Sequence, residues 1–182
     1  MCSVSICIPT FNHAKFLGES LRSAMDQTYS DVEIIVLDNA SCDGTEALVS
    51  EAILRDRRIR YVRHHSNIGL TANLSACVEF ANGEFVKLLC ADVSLEPDCI
   101  AIMVNAFRKH PSASLVGCAR LISDENLSGV RVARARRTLK CVPGRTMIKE
   151  CFIFGNRIGE PTAVMFRLSL IHILTLPTIL RV

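Results

Sequence analysis

Val32-Glu33-Ile34-Ile35-Val36-Leu37 runs directly into Asp38-Asn39-Ala40-Ser41-Cys42-Asp43-Gly44-Thr45. The first six residues are apolar apart from one Glu and rich in β-branched side chains. So short an apolar run reads as a strand buried on both faces. The next eight are small, oxygen-bearing and turn-forming, with Ser41 or Asp43 placed to cap a following helix. That helix is expected to run to about Asp56, with Ala47, Leu48, Ala52 and Ile53 on one face. A buried strand, a polar turn at its carboxyl end and an amphipathic helix make one unit of an α/β fold.

The same unit recurs on either side. Residues 3–8 are an apolar strand stopped by Pro9. Thr10, Asn12 and His13 then open a helix that runs to about Gln27, with Ala14, Leu17, Leu21 and Ala24 at helical spacing. Residues 59–63 form a third strand, 64–69 a loop, and 70–81 a helix closed by Asn82-Gly83. Residues 85–89 are a fourth strand, 96–110 a helix ended by Pro111, and 114–121 a fifth strand. Strands alternating with helices of roughly ten to fifteen residues predict a mostly parallel sheet covered on both faces, a three-layer α/β sandwich. In such sheets ligands sit outside the carboxyl ends of the strands. Thr10 and Asn12 follow the first strand, residues 38–43 the second, Asn67 the third and Asp92 the fourth. Four polar clusters, distant in sequence, are thus expected at one sheet edge.

Composition narrows the function. A chain of 182 residues favours one domain, and 49% hydrophobic with 21% charged residues excludes general disorder. The net charge of +3 is too mild for bulk nucleic-acid binding, and no interleaved aromatics accompany it. Arg131, Arg134, Arg136, Arg137 and Lys140 concentrate positive charge in one stretch without an acid. They read either as a solvated loop or as a phosphate contact, to a donor diphosphate or to an anionic, lipid-linked acceptor near a membrane. The nine cysteines include no C-x-x-C pair and several lie in apolar runs, which suggests reduced thiols and a cytoplasmic setting. Cys7, Cys77 and Cys118 read as small core residues, and Cys90 has no nearby His to make it a nucleophile. His64 and His65 are adjacent rather than at ligand spacing and read as a surface loop. No basic leader precedes the apolar start, and no run approaches the ~18 apolar residues of a membrane span. The expected location is therefore the cytoplasm, including the inner face of the membrane.

Several stretches together resemble family 2 glycosyltransferases of the GT-A fold. They are Ile6-Cys7-Ile8-Pro9-Thr10-Phe11-Asn12, Asp26-Gln27-Thr28-Tyr29, the 38–45 turn, Asn67-Ile68-Gly69, Ala81-Asn82-Gly83-Glu84-Phe85-Val86 and Gly159-Glu160-Pro161-Thr162-Ala163-Val164. The similarity runs from residue 3 to residue 167. The resemblance implies an inverting, metal-assisted transfer of a sugar from a nucleotide-diphosphate donor, with uridine diphosphate expected, to an acceptor hydroxyl. It implies that Pro9, Thr10 and Asn12 line the nucleoside, with Phe11, often Tyr in the family, beside the base. Asp38 would accept a hydrogen bond from the base or ribose. Ser41 and Asp43 belong to the same turn, Asn67 and Gly69 to the neighbouring loop, and Asp92 would hold Mg²⁺ or Mn²⁺ and the diphosphate. Such a cation prefers oxygen ligands, often one or two carboxylates completed by phosphates and water.

The chain departs from the family pattern twice. The family's acidic motif commonly reads D-x-D-D, where this chain has Cys90-Ala91-Asp92-Val93. A thiol is a poor ligand for Mg²⁺, though Asp92 alone can bridge a metal already chelated by diphosphate. The family's catalytic base is an acid beyond the G-E-P-T stretch, but residues 168–182 contain neither Asp nor Glu. Glu160 is the only acid nearby and a poor candidate, so the base is unassigned. Residues 1–167 are read as an incomplete glycosyltransferase domain and 168–182 as a tail foreign to the family, of read-through character. The rival reading is a catalytically inactive nucleotide-binding module. A nucleotidyltransferase or a nicotinamide dehydrogenase would need a Gly-rich loop after the first strand, where this chain has Pro-Thr-Phe-Asn.

Overall fold

The computed structural model of the chain describes residues 3–122, 131–133, 141–154, 158 and 160–169. Along the sequence these are β1 (Val4–Thr10), α1 (Ala14–Met25), β2 (Val32–Asp38), α2 (Thr45–Arg55), β3 (Ile59–Arg63), α3 (Leu70–Glu79), β4 (Phe85–Leu88), α4 (Cys99–Lys109), β5 (Leu115–Gly117), β6 (Arg120–Ile122), β7 (Arg131–Ala133), α5 (Gly144–Phe154), a 3₁₀ turn (Pro161–Ala163) and β8 (Val164–Arg167). Six strands form one mixed sheet in the order β3-β2-β1-β4-β8-β5. β1 and β2 are almost wholly buried, and they pair in parallel from Val4↔Val32 to Thr10↔Asp38.

The sheet has a core on each face, because successive strand residues point in opposite directions. Val4, Ile6, Ile8, Ile34 and Val36 pack with Leu17, Leu21 and Ala24 of α1, Val49 of α2, and Ile100, Met103, Val104 and Phe107 of α4. Cys7, Ile35, Leu37, Val86 and Phe166 pack with Cys77 of α3 on the other face. This is the expected three-layer arrangement.

Two features differ from the sequence expectation. The strand expected over 114–121 is two strands, β5 in the main sheet and β6 paired with β7 in a separate two-stranded sheet. β5 leans on β8, and that partner begins at Val164, opposite Gly117. Beyond it the partner chain turns into the 3₁₀ segment, and the last bond is Cys118 N–H to the Ala163 carbonyl, 2.8 Å. The second feature is β8 itself, a four-residue strand with no sequence signal of its own. It runs antiparallel to both β4 and β5. The basic residues 134–140 and the tail 170–182 lie outside the described residues.

The quoted motifs also explain local structure. Gln27, buried after α1, donates to the carbonyls of Ser23 and Glu96 and accepts from Ile100 N–H, so it caps α4 from outside. With Pro97 and Asp98 occupied in this turn, α4 starts at Cys99 rather than Glu96. Asn82-Gly83 seats the chain against β1 and β2. Ser5 Oγ donates to Glu33, Asn82 N–H donates to Glu33 at 2.7 Å, and Gly83 N–H donates to Ser5 Oγ at 2.8 Å. A Cβ on Gly83 would lie 2.6 Å from Ser5 N and 2.8 Å from Val4 C.

Gly83→Ala is expected to destabilise the protein by about 1–3 kcal/mol, because the clash is with backbone that cannot yield cheaply. Urea unfolding would read it. Partial burial raises the Glu33 pKa, but the bonds from Ser5 and Asn82 outweigh this and hold it below its ordinary 4.5. Its charged form therefore stabilises the fold above about pH 4.5, and that contribution is lost as the pH falls further. Glu33→Gln should flatten this part of the acid stability profile, measured by unfolding at a series of pH values.

Candidate functional site

The carboxyl ends of β1, β2, β3 and β4 open at one edge of the sheet, and the expected site residues gather there. Asp38 ends β2 with no exposure to water. A buried carboxylate needs internal donors, and its two oxygens have about four lone-pair sites to fill. Oδ1 accepts from Ser41 N–H at 2.9 Å and from Ser41 Oγ–H. Oδ2 accepts from the Tyr61 hydroxyl at 2.6 Å and faces the Arg63 guanidinium at 3.7 Å. Burial and then the bond to Asp38 push the Tyr61 phenol well above its usual range. Three of those sites are therefore filled inside the protein, and the guanidinium balances the charge. A donor from a base or ribose, as expected of Asp38, would have to join these partners. Asp38 also shapes the turn that follows β2.

The turn is tightly curled. Ala40 takes a left-handed φ of 65°, and Asn12 in the facing loop one of 54°. Such φ values in non-glycine residues cost energy and persist only where surrounding bonds enforce them. Those bonds are present. Asn12 N–H donates to Ser41 Oγ at 2.9 Å, and Asn12 Oδ1 accepts from Cys42 N–H at 2.8 Å. Asp43 accepts from Ala14 N–H at the start of α1 and from Thr45 N–H and Oγ at the start of α2. Asp43 thus joins two helix starts, while the N-cap position itself is Gly44. Asn39 extends the frame to the third loop, donating to Asn67 Oδ1 and accepting from Ile68 N–H, both at 2.8 Å. Asn67 Oδ1 also accepts from Gly69 N–H, and Gly69 has φ 86°.

Between these loops Thr10 Oγ1 is buried with no hydrogen-bond partner among the described residues, and Pro9 lies buried beside it. Phe11 is 40% exposed, an aromatic ring left at the rim. The sequence reading missed Tyr61, Arg63 and Asn39 as members of this frame. Their signal was weak. Tyr61 and Arg63 alternate along β3 as any half-buried strand would, and Asn39 is one more polar residue in a polar turn.

Asp92 stands apart. It is exposed after β4, and no hydrogen bond or ion pair involves it among the described residues. Ser20 Oγ donates to the Cys90 carbonyl, which fixes this loop on α1. Burial, then the charges of Asp92 and Glu160, push the Cys90 thiol upward. A neutral thiol is no hard-cation ligand, and no cluster of three ligating side chains occurs among the described residues. The donor set fits only a divalent cation that brings most of its own ligands, as one chelated by a diphosphate does. Glu160 acts on Cys90 with Asp92 because antiparallel β8 starts at the carboxyl edge. Its carboxylate is paired with Arg120.

The comparisons agree with this edge-of-sheet geometry. The family model described as glycosyl transferase family 2 matches residues 5–173.

The chain belongs to glycosyl transferase family 2.

Among curated relatives it is 37% identical over 165 residues to an abequosyltransferase, RfbV, of Salmonella typhimurium, covering 86% of this chain and 45% of that one. It is 32% identical to the putative glycosyltransferase EpsE of Bacillus subtilis, covering 72% of this chain and 47% of that one. The fold is that of solved GT-A enzymes. A mannosyltransferase from Pyrobaculum calidifontis, in complex with GDP-Man and Mn²⁺, superposes with a TM-score of 0.70 at 21% identity, over 96% of this chain and 47% of that one. The chain spans about half the length of the relatives it matches. Among the described residues no helix is long and apolar enough to cross a membrane.

Tyr61→Phe leaves a buried carboxylate oxygen short of a donor and is expected to cost about 1.5–3 kcal/mol. Thermal unfolding would measure it, and the phenolate absorbance titration should lose its most alkaline component in the same variant.

Proposed function

We propose that this family 2 chain is the donor-binding half of a glycosyltransferase that moves a sugar from a nucleotide diphosphate, uridine diphosphate in our reading, to an acceptor hydroxyl with inversion. The observation that carries it is the contrast between its acids. Asp38 is buried and held by Ser41, Tyr61 and Arg63 at the base of the cradle, whereas Asp92 faces solvent at the same edge without a partner among the described residues. Thr10 Oγ1 supplies an unused polar group inside the cradle and Phe11 an exposed ring at its rim, the two contacts a base and ribose can use. Pro9, Asn12, Ser41, Asn67 and Gly69 set its walls through the bonds given above. Asp92 would hold Mg²⁺ or Mn²⁺ together with the diphosphate. Such an ion supplies neutralisation of the charge left on the departing diphosphate. Related folds have been solved with UDP, with UDP-GlcNAc, and with GDP-Man and Mn²⁺.

On the acceptor side the support is thinner in residues but consistent in chemistry. The helix α5 leaves Ile148, Phe152 and Ile153 exposed beside Arg145 and Lys149. That combination suits a lipid-linked carbohydrate at a membrane surface, with the protein held peripherally on its inner face. Glu160 is paired with Arg120, so no general base is assigned to the described residues. A second reading, a nucleotide-binding module without turnover, is favoured by the neutral Cys90 and by Val93 where the family carries acids.

Calorimetric titration of uridine diphosphate into the chain, with and without Mn²⁺, tests the proposal. Binding is expected to depend on Mn²⁺ and to lose that dependence in Asp92→Ala. Phe11→Ala should weaken it by the stacking contribution, about 1–3 kcal/mol. Absence of binding by folded protein would overturn the donor site. Binding indifferent to Mn²⁺ and to Asp92 would move the module reading ahead.

A further inference from the structure

The turn that joins α3 to β4 carries the only Asn-Gly pair in the sequence, Asn82-Gly83. In such a pair the glycine nitrogen attacks the asparagine side-chain amide readily, because no Cβ hinders the approach or restricts the backbone. The attack has two requirements. The Gly83 nitrogen must give up its proton, and it must swing onto the Asn82 amide carbon. The fold denies both. Asn82 is exposed, but Gly83 is buried. Gly83 N–H donates to Ser5 Oγ at 2.8 Å, so its proton points into the protein and away from water. Asn82 is held at two points on one carboxylate. Its N–H donates to Glu33 Oε1 at 2.7 Å, and its Nδ2 donates to Glu33 Oε2 at 3.1 Å. Ser5 Oγ donates to the same carboxylate, which closes the ring of bonds. The strand that follows is firmly seated. Phe85 N–H is bonded to the Ser3 carbonyl at 3.0 Å, and Lys87 is fully buried with its ammonium on the Thr162 carbonyl. The part free to open is therefore the turn, whose flanking residues Phe80 and Glu84 are exposed.

We propose that Asn82-Gly83 is a deamidation site gated by this turn, protected while the turn is bonded to Ser5 and Glu33 and unable to close onto them again once converted. Aspartate at this position replaces the donor to Glu33 Oε2 by a second carboxylate. Glu33 is ionised at neutral pH, its pKa lying below the ordinary 4.5, so two like charges meet where a hydrogen bond was. Arg60 offsets part of this charge, though its guanidinium also serves the Phe80 carbonyl. Isoaspartate, the other product, lengthens the main chain by one carbon between two N–H groups. Those groups must reach Glu33 and Ser5 together. A transient opening is thereby turned into a permanent one. The turn lies at the amino end of the parallel strands, opposite the functional edge, so none of this depends on nucleotide-sugar binding.

The reaction needs only water and hydroxide. In the open turn hydroxide takes the Gly83 amide proton, and the nitrogen forms a bond to Asn82 Cγ. The bond from Cγ to the side-chain nitrogen breaks. That nitrogen takes a proton from water and leaves as ammonia, which returns the hydroxide. Water then opens the five-membered imide. Attack at the former side-chain carbonyl gives aspartate, and attack at the main-chain carbonyl gives isoaspartate. The first step, loss of the Gly83 proton, is the step of amide hydrogen exchange, so both processes follow the same opening.

The test uses the whole chain, incubated in mildly alkaline buffer with and without urea, and follows the peptide containing Asn82 by mass spectrometry. The folded chain is expected to deamidate at least about a hundredfold more slowly than the unfolded one, in proportion to its open population. Ser5→Ala removes the acceptor of Gly83 N–H from a position remote in sequence. It should speed the folded chain about tenfold and leave the rate in urea unchanged. Tyr61→Phe, which weakens the other end of the sheet, should leave the folded rate near that of the unsubstituted chain. Asn82→Asp should lower the urea midpoint, and less so as Glu33 becomes protonated. Equal rates in folded and unfolded protein would overturn the proposal. So would equal acceleration by Tyr61→Phe and Ser5→Ala, or a deamidated chain of unchanged stability. The rate comparison on the unsubstituted chain decides the matter even if Ser5→Ala does not fold.

Discussion

A carboxylate that folding takes out of water must be given hydrogen bonds inside the protein, and much of this molecule's functional edge exists to do that for Asp38. The parallel register sets Asp38 beside Thr10 at the end of the two central strands. The loop beyond it curls back far enough for Ser41 to donate twice, and the left-handed φ at Ala40 is the strain this requires. The neighbouring strand then contributes the Tyr61 hydroxyl and the Arg63 guanidinium. Ser41 Oγ also accepts from Asn12 N–H, and Arg63 donates to the Ser41 carbonyl at 2.7 Å. Satisfying one charge therefore fixes three loops relative to one another. A cradle built this way is rigid before any ligand arrives, which lowers the ordering cost of binding.

The other half of the edge depends on strand direction. Every strand paired with β1 or β2 runs parallel to it, and helices on both faces return the chain each time to the far end. In the main sheet β8 alone is reversed relative to the other five strands. Its first residues therefore lie where the parallel strands end, and the Glu160–Thr162 stretch arrives beside Cys90 and Asp92. A parallel β8 would have placed that stretch at the opposite end of the sheet. The acid-flanked Cys90 thiol and the Lys87–Thr162 contact both follow from this one reversal.

Much of the fold was legible because its central strands are buried on both faces. Uninterrupted runs such as Ile34-Ile35-Val36-Leu37 have few alternatives, and polar turns directly after them mark the carboxyl edge. The helices were found from their apolar stripes, with starts displaced by a few residues where side chains such as Gln27 took over the capping. The short elements escaped. Val164-Met165-Phe166-Arg167 carries no period of its own and is a strand only because β4 and β5 offer it two edges. Gathering Thr10, Asn12, Asp38, Ser41, Asn67 and Asp92 at one edge was readable from topology. The internal partners of Asp38 were not, because they include Tyr61 and Arg63 on the neighbouring strand.

The burial of Lys87 also bears on how the chain assembles. β1, β2 and β3 and the helices between them are contiguous in sequence, so their pairings close small loops. The Thr162 carbonyl that receives the Lys87 ammonium lies 75 residues further on. Until β8 and its turn dock against β4, that amine keeps water as its partner. Docking must strip this hydration, so the step that joins the two ends of the sheet works against a charge. Burial also lowers the Lys87 pKa from its ordinary 10.5, so the folded chain holds that proton less firmly than the unfolded one. The penalty is full below the depressed value and fades as the pH rises toward 10.5. Alkaline conditions therefore ease closure of the sheet at Lys87, the one buried lysine among the described residues.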